Sequence, residues 1–301
     1  MIARESAPGI LLLGSDSGFC FQVLKTLRDL GLAVAEVFLV AGSVSNRGHP
    51  VMSGAIPLSQ PGSVVDLAAR EGISVVQCQS TREDWAFELA RALAPELLLV
   101  ACLPERLGVR WFSVPKLGCF NLHPSLLPAY RGPAPLFWQL RDGLPRTGVT
   151  VHRVEAAIDA GAVLAREAVR IGGDDTLASL NAALATAGAR LFARSLDKLL
   201  SGKAALTAQD ENASSYQPWP KHDDFSLDPA WPASRAFRFV RATAALGRPY
   251  RMETQAGPLL IDRVIGFDDA ALLADPFERR QGGLRIRFSP GVLQAVGKAE
   301  A

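Results

Sequence analysis

The chain predicts an α/β fold, a parallel sheet covered by helices and joined to a second, smaller β-rich domain. Three observations carry that expectation. Short runs that are apolar on both faces alternate with stretches of helical periodicity, the pattern of a parallel sheet buried under helices. After a long helical pattern, residues 209–215 turn polar, the composition of a linker. Beyond them, short strand candidates crowd the C-terminal part. At 301 residues the chain is long for one core and comfortable for two. The expected division is a first domain over 1–208, a linker over 209–215 and a second domain over 216–301.

Taken in order, residues 9–14 are an apolar run ending in Gly14-Ser15-Asp16-Ser17-Gly18. Phe19, Val23, Leu24 and Leu27 then recur at helical spacing, so this is strand, tight turn and helix. The turn lacks the Gly-x-Gly-x-x-Gly spacing of a dinucleotide site, and its glycines read as turn geometry. A strand is expected over 33–40, a loop rich in Gly, Ser and Pro over 41–62, a helix over 64–71 and a strand over 73–76. A helix over 83–94 leads into the apolar run 97–101. After a strand at 119–122, residues 137–141 are helical, and 148–153 and 162–171 are strands. Asp174 or Asp175 caps a long helix whose Leu177, Leu180, Leu184, Ala187, Leu191, Leu196 and Leu199 form one apolar stripe, a core face. Past the linker, Ser234 is expected to cap a helix reaching Ala245, followed by strands over 251–254, 259–265, 284–288 and 292–296.

Net charge is only +2, which gives no broad field for gripping a polyanion; nucleic acid is neither demanded nor excluded. Cys20, Cys78, Cys102 and Cys119 are scattered, mostly in apolar surroundings and without Cys-x-x-Cys spacing. They read as buried thiols of a reducing, cytoplasmic compartment. No metal-ligand set, signal-peptide core or membrane-length apolar run is read, so no membrane partner is expected.

The chemistry concentrates at Asn121-Leu122-His123-Pro124-Ser125-Leu126-Leu127-Pro128-Ala129-Tyr130-Arg131-Gly132. Asn121 and His123 are two residues apart, so in a strand both side chains leave one face. Alone, an Asn-x-His pair fits an edge strand with a capping Asn and a satisfied core His. Further on, Ile158-Asp159-Ala160-Gly161 supplies an acid beside a turn glycine, a residue that often only forms a turn. Together they offer a neutral donor, an imidazole that titrates near working pH, and a carboxylate to orient it, hold its charge or relay protons. Those parts suit acyl transfer to an amine, where the amine is itself the nucleophile and no Ser or Cys is required.

The stretch 121–132, with Gly148-Val149-Thr150-Val151-His152 and Asp159-Ala160-Gly161 behind it, resembles the 10-formyltetrahydrofolate-dependent formyltransferases. That family includes glycinamide ribonucleotide transformylase, methionyl-tRNA formyltransferase and the sugar N-formyltransferases. The similarity runs in order over about residues 9–200. It continues more weakly from Tyr216-Gln217-Pro218 and Asp224-Phe225-Ser226-Leu227-Asp228 to the end. It implies a Rossmann-like parallel-sheet formyltransferase domain, a smaller β-rich, OB-like C-terminal domain, and 10-formyltetrahydrofolate as donor. It also implies that Asn121 and His123 hold the formyl oxygen and assist proton movement, with Asp159 completing the triad. By the same carry-over Ala101, Cys102, Leu103 and the backbone of Ala157, Ile158 and Asp159 contact the pteridine. The tRNA branch often has Tyr-Gly where this chain has Cys102-Leu103, a departure at the pocket wall.

The acceptor is read from the basic residues. In the loop 42–54 only Arg47 and His49 are basic, thinner than the lysine-rich loop of the tRNA branch. Arg235, Arg238, Arg241, Arg248 and Arg251 fall together with no acid among them, either a solvated helix face or an anion-binding patch. Pro124 stands where the tRNA branch commonly has glycine. The expected acceptor is therefore the amine or hydroxylamine of a small metabolite, such as a nucleotide-linked amino sugar or a siderophore precursor, with methionyl-tRNA as the alternative. Tyr130 and Arg131, on the proline-stiffened loop, are expected to face the cleft. Two further readings are a formyl-folate hydrolase, whose relatives carry an extra N-terminal domain for which a first strand near residue 9 leaves no room, and a folate-binding protein with a relic site.

Overall fold

The computed structural model describes residues 9–41, 62–255, 257–281 and 283–299. The chain divides into two units, one of Met1–Pro135, Arg146–Arg170 and Ala178–Gln217, the other of Leu136–Pro145, Ile171–Leu177 and Pro218–Ala301.

The first unit is built on β1 (Ile10–Gly14), α1 (Gly18–Asp29), β2 (Val34–Val40), α2 (Val64–Arg70), β3 (Ser74–Cys78), α3 (Asp84–Leu93), β4 (Leu97–Ala101) and β5 (Cys119–His123). After α4 (Pro135–Arg141), which belongs to the second unit from Leu136 on, the strands β6 (Arg146–Arg153) and β7 (Val163–Arg170) and the helix α5 (Leu177–Leu200) complete the first unit. The sheet order is β3-β2-β1-β4-β5-β6-β7. Pairing is parallel from β3 through β5 and antiparallel at β6 and β7. The expected α/β fold is present, and the antiparallel turn at β6–β7 follows from the short 154–162 connection, too short for a crossover. Every residue of β1 and β4 is buried, which is why those runs are continuously apolar. Between β1 and α1 the Ser17 hydroxyl caps the helix by accepting the Cys20 N–H at 3.3 Å.

The stripe on α5 is a core face: Leu180, Leu184, Leu191, Leu196 and Leu199 are buried, and the Phe192 ring lies 6.5 Å from Phe120 of β5. At Gly188 a Cβ would stand 2.9 Å from Val149 and 3.4 Å from Leu122, so the helix lies directly on β5 and β6. Because strand side chains alternate, Phe120 and Leu122 face α5 while Asn121 and His123 leave the other side.

The second unit contains α6 (Ala233–Thr243), β8 (Tyr250–Met252), β9 (Leu259–Asp268), β10 (Phe277–Arg280), β11 (Gly283–Arg287) and β12 (Val292–Ala299). Its five strands pair antiparallel in the order β10-β11-β12-β9-β8, the β-rich domain expected. Phe239 packs edge-on against Tyr250 at 5.7 Å and Phe137 at 5.4 Å, forming an aromatic centre. Two local expectations are corrected. Pro232, with φ −59°, rather than Ser234 precedes the first turn of α6, and the Ser234 N–H is taken by Asp269 at 2.9 Å. The strand β10 was not expected because Phe277-Glu278-Arg279-Arg280 is charged, as edge strands commonly are.

Candidate active site

β5 reaches the C-terminal edge of the parallel strands with Asn121 half-buried and His123 only 4 % exposed. β6 runs antiparallel beside it and places His152 opposite Asn121 and Thr150 opposite His123. The following loop returns Asp159 over the same edge. Its Oδ2 lies 3.6 Å from His123 Nδ1 and its Oδ1 3.6 Å from His152 Nε2. Asn121, His123 and Asp159 are thus brought together, with His152 among them. Separations of 3.6 Å are slightly beyond hydrogen-bond reach.

The hydrogen bonds fix the protons. His152 Nδ1 donates to the Arg153 carbonyl at 2.9 Å, since a carbonyl only accepts. In the neutral ring Nε2 is then a lone pair, so the Asn121 amide Nδ2, 3.2 Å away, is the donor. That arrangement decides which end of the Asn121 amide faces His152. Burial pushes the His152 pKa down to about 4, against the pull of the Asp159 charge, so the ring is neutral at ordinary pH. His123 Nε2 donates to the Tyr130 carbonyl at 2.9 Å, which leaves Nδ1 facing Asp159.

Backbone geometry holds these groups. The Gly132 N–H donates to Asp159 Oδ2 at 2.9 Å. Gly132 has φ +112° and a Cβ there would collide with the Gln217 carbonyl, so only glycine delivers this N–H. Cys102 (φ +58°), Tyr130 (φ +60°) and Asp159 (φ +52°) are all non-glycine residues in the left-handed region. Strained backbone of this kind gathers at functional sites.

Of the residues expected to line the folate pocket, Ala101 is buried and Cys102 and Leu103 are half-buried. The Ser15 hydroxyl donates to the Cys102 carbonyl at 2.7 Å. Ala157 and Ile158 are exposed, and Arg106 bonds the neighbouring Ala156 carbonyl, tying the loop after β4 to the loop before Asp159. The expectation that Arg131 faces the cleft is corrected. Arg131 is 8 % exposed and its guanidinium is bound by Gln209 and Glu211. A buried guanidinium requires such partners. Tyr130 is half-buried and contributes its carbonyl to His123. The loop 42–54, with Arg47 and His49, lies outside the described residues. Among the described residues, no group of three or more His, Cys, Asp or Glu is placed to hold a metal ion, and no helix is long and apolar enough to cross a membrane.

His152 and Gly132 are the site residues that sequence reasoning did not assign a role, although both lie in stretches it quoted. The missing signal was register: only the pairing of β5 with β6 shows that His152 stands beside Asn121.

The sequence profile described as "Formyl transferase" matches residues 9–196. The methionyl-tRNA formyltransferase of Trichlorobacter lovleyi is 33 % identical over 236 residues, covering 78 % of this chain and 72 % of that protein. Among solved structures, the N-formyltransferase from Helicobacter canadensis in complex with folinic acid and dTDP-3-aminofucose aligns with a TM-score of 0.69 at 16 % identity, over 97 % of this chain and 100 % of that one. The sugar 3N-formyl transferase WlaRD, in the presence of dTDP and 5-N-formyl-THF, aligns with a TM-score of 0.66 at 15 % identity, over 99 % of this chain and 100 % of that one.

Proposed function

The chain belongs to the formyl transferase family, and on that premise we propose that it transfers a formyl group from 10-formyltetrahydrofolate to the amine or hydroxylamine nitrogen of a small metabolite, such as a nucleotide-linked amino sugar or a siderophore precursor. The observation that carries the reaction is the convergence of a neutral amide donor, an imidazole and a carboxylate at one sheet edge. One Asn121 N–H is committed to His152, and the other is the donor for the formyl oxygen as that oxygen gains charge. Asp159, with His123 Nδ1 beside it, takes the proton that the attacking nitrogen sheds. The same groups return a proton to the departing folate nitrogen as its bond to the formyl carbon breaks, so protons balance over the cycle. The apolar side chains of Ala101, Cys102 and Leu103, with the backbone of Ala157 and Ile158, suit the flat face of a pteridine.

A small acceptor is supported by what the arginine run does. Arg235 lies 4.0 Å over the Trp231 ring and donates twice to the Arg141 carbonyl. Arg241 bonds the Gly173 and Asp175 carbonyls and pairs with Asp174 at 3.4 Å, and Arg251 pairs with Glu253 at 2.6 Å. Three of the run's five guanidinium groups are thus occupied within their own unit, which weakens it as a phosphate grip, while Arg238 is exposed. Methionyl-tRNA is the second reading, favoured by the 33 % identity to a methionyl-tRNA formyltransferase. Purified protein with 10-formyltetrahydrofolate, offered charged initiator tRNA and a panel of amines that includes dTDP-3-aminofucose, separates them. Turnover of an amine without tRNA formylation is expected; efficient formylation of the charged tRNA overturns the small-acceptor reading. Unchanged turnover in His123→Ala would instead return the site to a non-catalytic relic.

A further inference from the structure

Residues 209–217, polar in sequence, hold both loops of the catalytic edge. Gln209 Nε2 donates to the carbonyls of Asp159 and Gly161, each at 2.8 Å, gripping the backbone on either side of Ala160. The other end of the same amide is fixed as well. Its Oε1 accepts from Arg131 Nε at 3.2 Å and Nη2 at 2.9 Å, and the remaining guanidinium edge is bound by Glu211 at 2.9 and 2.7 Å. Arg131 in turn follows Tyr130, whose carbonyl holds His123, and precedes Gly132, whose N–H holds Asp159. One side-chain amide therefore connects the backbone turn that bears Asp159 with the loop that orients His123.

We propose that Gln209, held by Arg131, is a positioning residue for Asp159. The inference rests on the reading of Asp159 as a member of the reacting triad. Asp159 sits at φ +52°, a conformation a non-glycine residue keeps only where its surroundings over-determine it. Two carbonyls pulled toward one amide supply that constraint. The Arg131–Glu211 pair does more than satisfy a buried charge. Glu211 is 67 % exposed, so solvent screens part of its attraction, while the buried guanidinium needs it as a partner. What the pair does is orient the guanidinium, which fixes the rotation of the Gln209 amide and keeps its N–H groups on the carbonyls.

Histidine-ring nitrogen NMR on the full chain tests this without any acceptor. Asp159→Asn should move the His123 ring resonances. Gln209→Ala should move the same resonances in the same direction while thermal unfolding shows a folded protein, and should add nothing in the Asp159→Asn background. With hydroxylamine as the acceptor probe, Gln209→Ala is expected to lower kcat by roughly 10- to 100-fold, the scale of a small misplacement. The double variant should turn over no more slowly than Asp159→Asn alone. If Gln209→Ala does not fold, Gln209→Glu replaces it, since it keeps the acceptor for Arg131 while setting a carboxylate against the two carbonyls; the same shifts are expected. His123 resonances unmoved by the Gln209 change, or additive losses in the double variant, overturn the proposal. Full turnover in Asp159→Asn would instead remove the catalytic reading, and the NMR coupling would still report on the clamp.

Discussion

His152 offers a measurement that separates a positioning role from a merely buried one. Two variants divide its properties. His152→Leu removes the acceptor for Asn121 Nδ2, whereas His152→Gln keeps one amide end to accept from Asn121 and another to donate to the Arg153 carbonyl. Neither replacement titrates. The folded ring, with its pKa pushed down to about 4, stays neutral where the unfolded ring, near 6.5, takes up a proton. Stability contributed at this residue is therefore full above pH 6.5 and is lost as pH falls toward 4. Linkage with those two values gives a loss of about 2 kcal/mol by pH 5. Denaturant unfolding at pH 7.5 and pH 5 should show wild type losing that much more than His152→Gln. In formyl-transfer assays, His152→Gln should stay within several-fold of wild type. His152→Leu should fall on the order of 100-fold, because a donor displaced by about 1 Å no longer meets the formyl oxygen. An acid loss in His152→Gln equal to that of wild type, or wild-type turnover in His152→Leu, would refute the reasoning.

Asp159→Asn should fold normally, since its amide oxygen still accepts the Gly132 N–H, while formyl transfer drops by roughly 100-fold or more with the charge and proton relay gone; thermal unfolding and steady-state kinetics check both halves. Gly132→Ala must place a Cβ against the Gln217 carbonyl at φ +112°, so a destabilisation on the order of 2 kcal/mol, with loss of turnover, is expected from denaturant melts and kinetics.

Much of the fold was legible because burial writes itself into sequence. The continuous apolar runs of β1 and β4 and the leucine stripe of α5 are consequences of elements covered on both faces or along one stripe. The chemistry of Asn121, His123 and Asp159 was legible as residue types, two on one strand face and one beside a turn glycine. Their partners were not. His152 joins Asn121 only through the register of β5 and β6, and Gln209 reaches Asp159 across fifty positions of sequence. Arg131 read as a cleft residue because its loop is proline-rich and its partners lie in a stretch whose polarity resembles that of a linker. Polar composition marks solvent and hydrogen-bonding duty alike, and it does not distinguish a free connection from a strap.

The backbone itself argues against a relic. Among the described residues, the non-glycine positions at positive φ are Ala94, Cys102, Tyr130 and Asp159. Ala94 ends α3, where a left-handed residue is the ordinary way to stop a helix. The other three border the site, and each costs about 1–3 kcal/mol that a glycine or a relaxed turn would recover. Tyr130 spends that energy to aim a carbonyl at His123, and Asp159 spends it to place a carboxylate between two imidazoles. Neither gain is a gain in packing. The carboxylate accepts the Gly132 N–H, but the 3.6 Å gaps leave it short of hydrogen bonds to either imidazole. A strained turn clamped by Gly132 and Gln209, which leaves one carboxylate oxygen facing His152 at 3.6 Å, suits a group kept available to a molecule outside the chain and supports the proposed proton acceptor.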